Sequence, residues 1–430
     1  MPASLEVITL VDVWLPYGAT EVCVRIPAEN LCGIIKVQDK DGLRNLAEET
    51  ERAIRNPIGS KRLTDIVKPG DKLTLALNMP SPMLSKLVVS SIMSKVSQLG
   101  LKNDDLTVIL AHDPLTPKTT SLLGQIRDEI SLLGVNVKVH DYFAGNNTCI
   151  READSGIKVH LDRDFAESPI KITASIFEPN PYTLYNCSES AIALGLSSME
   201  TIEGILTPAL NVENLGETVF RRVADVSRTV KVDFNMVFIR NVKGDIVEVL
   251  AGDFEETSLE GVKIVDSLFK VQVEEKTDIT VVSPGGVRFD RSIFNACGCL
   301  ENALKITRKN GAIILVAECP EGYGDIEMQK IVERFGGDVE SLEKDLRKKF
   351  SVRGFIAYRF LRALKKTSVF MTSAIPDHYA DKISSLKVFR VANEALKYAL
   401  DKFGRKPKIS AILHGSLIVP TVKEPEPKPA

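Results

Sequence analysis

The chain is poor in the features that mark several protein classes. No window approaches the roughly 18 apolar residues in succession that a membrane-spanning helix needs. The opening MPASLEVITL has no basic segment followed by an apolar one, so no signal peptide is expected and a cytoplasmic protein is. Excess positive charge is absent too: a formal net charge of −2 and a pI of about 6.3 provide no global field to attract nucleic acid or anionic lipid. Neither nucleic acid nor membrane is therefore expected as a partner, and the oligomeric state is open. Histidine is scarce, with five residues, and His112 and His140 show no i, i+4 spacing. The cysteines, seven and scattered, suit free thiols in a reducing compartment rather than a disulfide framework. There the sequons at Asn146 and Asn186 carry no meaning.

What is present is the balance of an ordinary soluble globule, 44% hydrophobic and 26% charged. At 430 residues the chain exceeds what one core usually serves, and two domains are expected. Short β-rich runs such as KLTLAL (72–77), LTVIL (106–110), KITASI (171–176), DITVVS (278–283), AIILVA (312–317) and ISAIL (409–413) alternate with longer stretches. LSKLVVSSIMSKVSQLG (84–100), SLLGQIRDEISLLG (121–134) and CLENALKITRKNG (299–311) repeat apolar residues at three and four and end on glycine, which predicts helices with a C-terminal stop. The alternation predicts an α/β protein of two domains with mostly parallel sheets and a cleft between them. EVCVRIP (21–27) alternates like a solvent-facing strand and predicts an N-terminal β-hairpin. The expected boundaries are 1–270, completed by 404–421, then 271–403, with a disordered tail at 422–430.

In open α/β sheets ligands bind beyond the carboxyl ends of strands. Six loops follow predicted strands directly: NMPSPM (78–83), AHDPLTP (111–117), HDYFAGNN (140–147), EPNPYTLYNCSES (178–190), SPGG (283–286) and ECPEGYG (318–324). They are expected to gather on one rim. His112 is the first acid/base candidate there, the alternative being a capping or core histidine. His140 is read as structural. Adjacent strand residues point to opposite faces, so each of the pairs His112-Asp113 and His140-Asp141 should offer one member to the rim. SPGG could hold an anion on backbone amides, or be a plain tight turn. Glu318, Glu321 and Asp325 read as solvated rim charges. A thiol-dependent metal or redox site at Cys187, Cys297, Cys299 and Cys319 ranks behind buried small residues.

As an ordered set, further segments resemble one family. LPYGATEVCVRIP (15–27), NPIGSKRLTDIVKPGDKLTLAL (56–77), AHDPLTP, SAIALGLSSMETI (190–202), AGDFEE (251–256), EKTDITVVSPGG (275–286) and NGAIILVAECPEGYG (310–324) are similar to the nickel-pincer-nucleotide-dependent lactate racemase family. In that family lactate is racemised by hydride removal and return. The resemblance implies substrate contacts at Tyr17 and Asn295, with Gly298 at the place of a substrate lysine. It implies cofactor positions at Asn78, Ser81 and Ser190, where the family's charged Asp-x-Thr-Arg-Pro loop and its cofactor-bearing lysine would stand. Cys187, Ser188 and Glu189 replace the glycines before that lysine. Of the family's two acid/base histidines one is kept as His112, and the other reads Asn180. The nickel-ligating histidine falls near Leu206. No lysine lies between Lys171 and Lys231. No metal and no cofactor is therefore expected, and the nickel nucleotide least of all. The expected function is a divergent enzyme acting on a small hydroxy acid or related polar metabolite in the interdomain cleft, with His112 as acid/base. A non-catalytic ligand- or partner-binding relative is the alternative.

Overall fold

The computed structural model describes residues 9–116, 120–381, 383, 386–404 and 406–423. The chain divides into two compact units, one from Asp39 to Leu268 and one joining the described residues through Gln38 with those from Phe269 onward.

The Asp39–Leu268 unit is built on a seven-stranded sheet. Its strands lie in the order Ile246–Gly252, Phe234–Arg240, Ile170–Asn180, Leu73–Asn78, Leu106–Leu110 and Asn136–Val139, with the short Leu184–Asn186 paired to Ile170–Asn180. All neighbours from Phe234–Arg240 to Asn136–Val139 run parallel. The central runs are apolar on both faces, as strands covered by helices on each side must be: Leu73, Leu75, Ala76 and Leu77 are all buried. Helix Pro82–Val96 starts with Ser81 as N-cap and proline in its first turn, and it packs Val88, Val89 and Ile92 into this core.

The other unit carries a six-stranded, all-parallel sheet in the order Leu386–Phe389, Ser368–Thr372, Thr307–Val316, Thr277–Val282, Ile409–Ile412 and Leu31–Ile35. The expected hairpin is Leu10–Tyr17 against Thr20–Pro27, antiparallel, with Tyr17 opposite Thr20 and Gly18 at φ +54° in the turn. Its inner face, Val13, Leu15, Val24 and Ile26, joins the core of this unit. The α/β class and its largely parallel sheets are as the alternation predicts. Among the described residues no helix is long and apolar enough to cross a membrane.

Three expectations need correction. Residues through Gln38 do not belong with 39–268, and 404–421 do not complete an N-terminal domain. Leu31–Ile35 lies parallel to Ile409–Ile412, which lies parallel to Thr277–Val282, so an early and a late segment together finish the sheet of the C-terminal half. Residues 422 and 423 are not tail: Val422 closes a strand parallel to Lys270–Val273, and the Lys423 amide bonds the Val273 carbonyl at 2.9 Å. Residues 424–430 lie outside the described residues. The 299–311 helix stops at Ile306, and a strand starts at Thr307. Asn310, at φ +63°, takes the left-handed backbone there, and Gly311 is a strand residue rather than a helix stop.

Candidate functional site

The loops do not form one set on one sheet. NMPSPM, AHDPLTP, HDYFAGNN and EPNPYTLYNCSES follow strands of the Asp39–Leu268 unit, whereas SPGG and ECPEGYG follow strands of the other. Pro117 falls outside the described residues.

In the Asp39–Leu268 unit the 178–190 stretch is a tight hairpin followed by a short helix, Ser188–Ala193. Asn180 Oδ1 accepts the amides of Tyr182 at 2.9 Å and Thr183 at 3.3 Å, so its side chain makes the turn itself. Ser190 is fully buried. Its Oγ accepts the Cys187 amide at 2.8 Å and lies 2.8 Å from the Cys187 carbonyl and 3.3 Å from Asn186 Oδ1. Asn78 Nδ2 donates to the same Asn186 oxygen at 3.3 Å. Below this turn runs a buried polar network. Asn235 Oδ1 accepts from Thr173 and Ser188 hydroxyls, each at 2.7 Å, and its Nδ2 donates to Thr257 Oγ1 at 2.8 Å. Ser175 and Ser188 hydroxyls meet at 2.8 Å. The turn thus keeps its shape through its own hydroxyls and amides.

His112 stands just beyond Leu106–Leu110 and is half-buried. The Ala111 amide bonds the Leu77 carbonyl at 2.9 Å, and Gly195, after the short helix, packs against Ala111 closely enough that a Cβ there would sit 3.0 Å from the alanine methyl. The structure therefore brings the loops of Asn78, His112 and Ser190 side by side. Ser81 is one turn further on and caps its helix by accepting the Leu84 amide. Asp113 is buried and accepts the Leu115 amide at 2.9 Å. His140 is buried between Asp162 Oδ2 at 3.1 Å and the Ser197 carbonyl at 3.0 Å, a structural placement, while Asp141 is exposed. Burial works against the Asp162 charge, yet hydrogen bonds from His140 and Lys138 hold its carboxyl below the usual carboxylate range. Burial, then the Glu189 charge, pushes the Cys187 thiol well up, so it stays neutral.

In the other unit the hairpin turn meets two carboxylates. The Gly18 amide donates to Asp290 Oδ2 at 2.8 Å, and the Glu318 amide to the same oxygen at 3.3 Å. A Cβ on Gly18 would lie 2.0 Å from Glu318 Oε2, so only glycine fits as the side chains stand. Tyr17, half-buried, has its pKa pushed up to about 12 by burial and by the Glu318 carboxylate. Glu318 is thus a half-buried neighbour of this corner, not a solvated rim charge. Asp325 likewise caps the helix Ile326–Phe335 and pairs with Arg353 at 2.8 Å, whereas Glu321 pairs with Arg291 in an exposed position. Asn295 is engaged by Ser292, whose Oγ donates to Asn295 Oδ1 at 2.6 Å. Cys297, Cys299 and Cys319 are buried, and burial raises the thiols of Cys299 and Cys319 well above their usual range. Among the described residues no three His, Cys, Asp or Glu side chains are grouped to hold a metal ion.

Sequence reasoning missed Asp290 and Asn235. The one sign for Asp290 is distant in sequence: Gly18, a glycine in a hairpin turn that meets something close. Asn235 sits in an apolar run, FNMVFI, and a polar residue buried there demands partners.

Two family models match this chain: the lactate racemase N-terminal domain over residues 17–208 and the lactate racemase C-terminal domain over 272–419. The chain belongs to the lactate racemase family. It is 24% identical over 329 residues to a lactate racemase of Thermoanaerobacterium thermosaccharolyticum, covering 73% of this chain and 76% of that one. It is 21% identical over 419 residues to a lactate racemase of Lactiplantibacillus plantarum, covering 94% and 99%. The fold is similar to that of the lactate racemase apoprotein from T. thermosaccharolyticum, with a TM-score of 0.83, 21% identity, and 96% and 100% of the two chains covered. A Thermotoga maritima protein from structural genomics is more distant, with a TM-score of 0.61, 13% identity, and 90% and 100% covered.

Proposed function

We propose that this lactate racemase homologue does not hold a covalently linked nickel nucleotide. It receives a small polar ligand, a hydroxy acid or related metabolite, with His112 as its acid/base. The observation that carries this reading is Ser190. It stands where the family resemblance puts the cofactor-bearing lysine. A hydroxyl cannot make the lysine's thioamide link, and this one is fully buried and engaged in its own turn. Leu206, near the position of the nickel-ligating histidine, is apolar and buried. Asn180 does not titrate, and its oxygen caps two amides, so a symmetric two-base exchange is not supported. The residues at these positions do not fit the nickel nucleotide.

The test has three parts. Protein co-expressed with the cofactor's biosynthetic genes should carry no stoichiometric nickel. A panel of hydroxy acids should include one that raises the melting temperature, since a ligand at 100 times its Kd stabilises by about 2.7 kcal/mol. His112→Ala should then abolish turnover of that ligand and keep its binding. Stoichiometric nickel nucleotide sinks the reading.

A second reading, a non-catalytic binder, draws on a separate observation. Asn180, Ser81, Ser190 and Asn295 are all engaged in capping or turn hydrogen bonds. Binding without any turnover by the unmodified protein would favour it.

A further inference from the structure

The unit that contains the hairpin has a cavity of about 760 Å³ at the amino-terminal edge of its parallel sheet. Ser368 and Leu386 begin their strands there, and Gly311 immediately precedes Ala312, the strand partner of Ser368. The ECPEGYG loop follows the carboxyl end of the same sheet, so this cavity stands apart from the Gly18–Glu318 corner. We propose that it is a second ligand site, for an organic anion with an aromatic or apolar body.

The charge comes from lysines, two of which, Lys387 and Lys402, meet neutral groups. Lys387 Nζ lies 3.6 Å from the Tyr398 ring centroid and 5.4 Å from that of Phe389. Lys402 Nζ donates to Ser368 Oγ at 2.7 Å and lies 5.7 Å from the Phe370 centroid. Lys365 also lines the cavity, paired with Glu340 in an exposed contact that contributes little and yields readily to a better anion. No aspartate or glutamate is among the described lining residues. A simpler account is that these lysines offset helix C-termini. It fits Lys365 and Lys402, which stand in the last turns of Val352–Lys366 and Ala392–Phe403. It does not fit Lys387, which belongs to a strand. Each helix end supplies only about half a negative charge, so positive charge remains for a ligand.

The walls suit the rest of such a molecule. Phe370 and Tyr398 pack edge-on with centroids 5.1 Å apart, and Leu364, Val369 and Leu386 add apolar surface. The rim is preformed: Thr367 Oγ1 donates to the Gly311 carbonyl at 2.6 Å. The volume lies in the range of small-molecule sites, about 300–1,000 Å³. Ammonium groups resting over aromatic rings, with aliphatic side chains beside them, recognise an anionic head joined to a flat or apolar body.

The test uses full-length protein with 1-naphthyl phosphate, 1-naphthoate and inorganic phosphate, followed by calorimetry and thermal shift. At least one naphthyl probe should bind and raise the melting temperature by about 2 °C or more at saturation, and the better of the two names the head group as phosphate or carboxylate. Inorganic phosphate should bind at least about tenfold more weakly. Lys387→Glu with Lys402→Glu should weaken the naphthyl probe by about tenfold or more, and Lys387→Ala alone should weaken it in the same direction. His112→Ala should leave it unchanged, so failure here is distinct from failure of the reading above. The proposal is overturned by an absence of binding at millimolar concentration, by equal binding of inorganic phosphate, or by affinity that survives charge reversal.

Discussion

Under Ser190 and beside Gly18 the chain handles buried polar groups in two different ways. In the first region Thr173, Ser175, Ser188, Asn235 and Thr257 pass hydrogen bonds among themselves, and Ser190 closes its turn on Cys187 and Asn186. In the second, Asp290 is fully buried and accepts two amides through Oδ2, but its Oδ1 has no hydrogen-bond partner among the described residues. A network satisfied within itself fixes a shape and has little left to offer a ligand. A carboxylate satisfied on one side alone stays costly until a donor reaches it. The difference sets a buried polar region closed on itself against one whose acceptor is still open.

The largest expected effect comes from placing at 190, in the satisfied region, the lysine that the family resemblance implies there. Ser190→Lys places an ammonium at a fully buried position whose neighbours are already engaged. It should lower stability by about 3–5 kcal/mol, the scale of an uncompensated buried charge, measured by urea denaturation. A loss under about 1 kcal/mol would mean that the turn opens to solvent easily, and the contrast between the two regions would weaken.

Asn235→Ala follows. It removes the shared acceptor of Thr173 and Ser188 and the donor to Thr257, so three buried hydroxyls each lose one bond, although Ser188 keeps Ser175 and Thr257 keeps the Asp253 carbonyl. With each orphaned group costing about 1–3 kcal/mol and some relaxation, about 3 kcal/mol should be lost. Thr257 also donates to the Asp253 carbonyl at 2.6 Å, so Thr257→Val should cost less than Asn235→Ala in the same denaturation series.

How much of this was legible in the sequence depends on the range of each interaction. The strands were readable because LTLAL, LTVIL and AIILV are local apolar runs, and the helices because their apolar spacing is local. The hairpin was readable from the alternation in EVCVRIP. The placement of Leu31–Ile35 was not, since its partner Ile409–Ile412 lies at the far end of the chain and no local pattern encodes a parallel pairing. The break at Ile306 was hidden because TRKN continues the polar face of the preceding helix. At the candidate site the residue types were legible, including asparagine at 180 and serine at 190. That Asn180 and Ser190 cap their own turns was not, because a side chain's partner is set by tertiary packing. Asp290 escaped notice for the same reason: its partner Gly18 is 272 positions away.

An acid limb in the stability curve should trace to Asp162. Its folded pKa lies below the ordinary aspartate value of 3.8, because hydrogen bonds from His140 and Lys138 outweigh its burial. A lowered carboxylate pKa contributes stability that is fully present above the unfolded value and is lost as pH falls through the folded one. Unfolding free energy should therefore drop as pH falls below about 3.8. Asp162→Asn should flatten that limb, being less stable than the unmodified protein near neutrality and converging with it in acid. Denaturation at a series of pH values reads both, and parallel curves would show that the Asp162 contact is not an ionic one.

The smallest effect is expected at Asp290, and it separates the two regions most cleanly. Asp290→Asn keeps an oxygen to accept the Gly18 and Glu318 amides and puts an NH2 group where the unpartnered oxygen stands. No hydrogen bond within the protein is removed, and a buried negative charge disappears beside Glu318, so stability should change by about 1 kcal/mol or less, in either direction. Asp290→Ala, which strips both amides of their acceptor, should cost about 2 kcal/mol more than the asparagine variant. If asparagine is as damaging as alanine, Oδ1 is held by something as firmly as Oδ2, and the half-satisfied carboxylate is half-satisfied no longer. If it is neutral while Asn235→Ala is severe, buried polarity in this fold is rigid where the chain answers it from within and tolerant where one oxygen still awaits a donor.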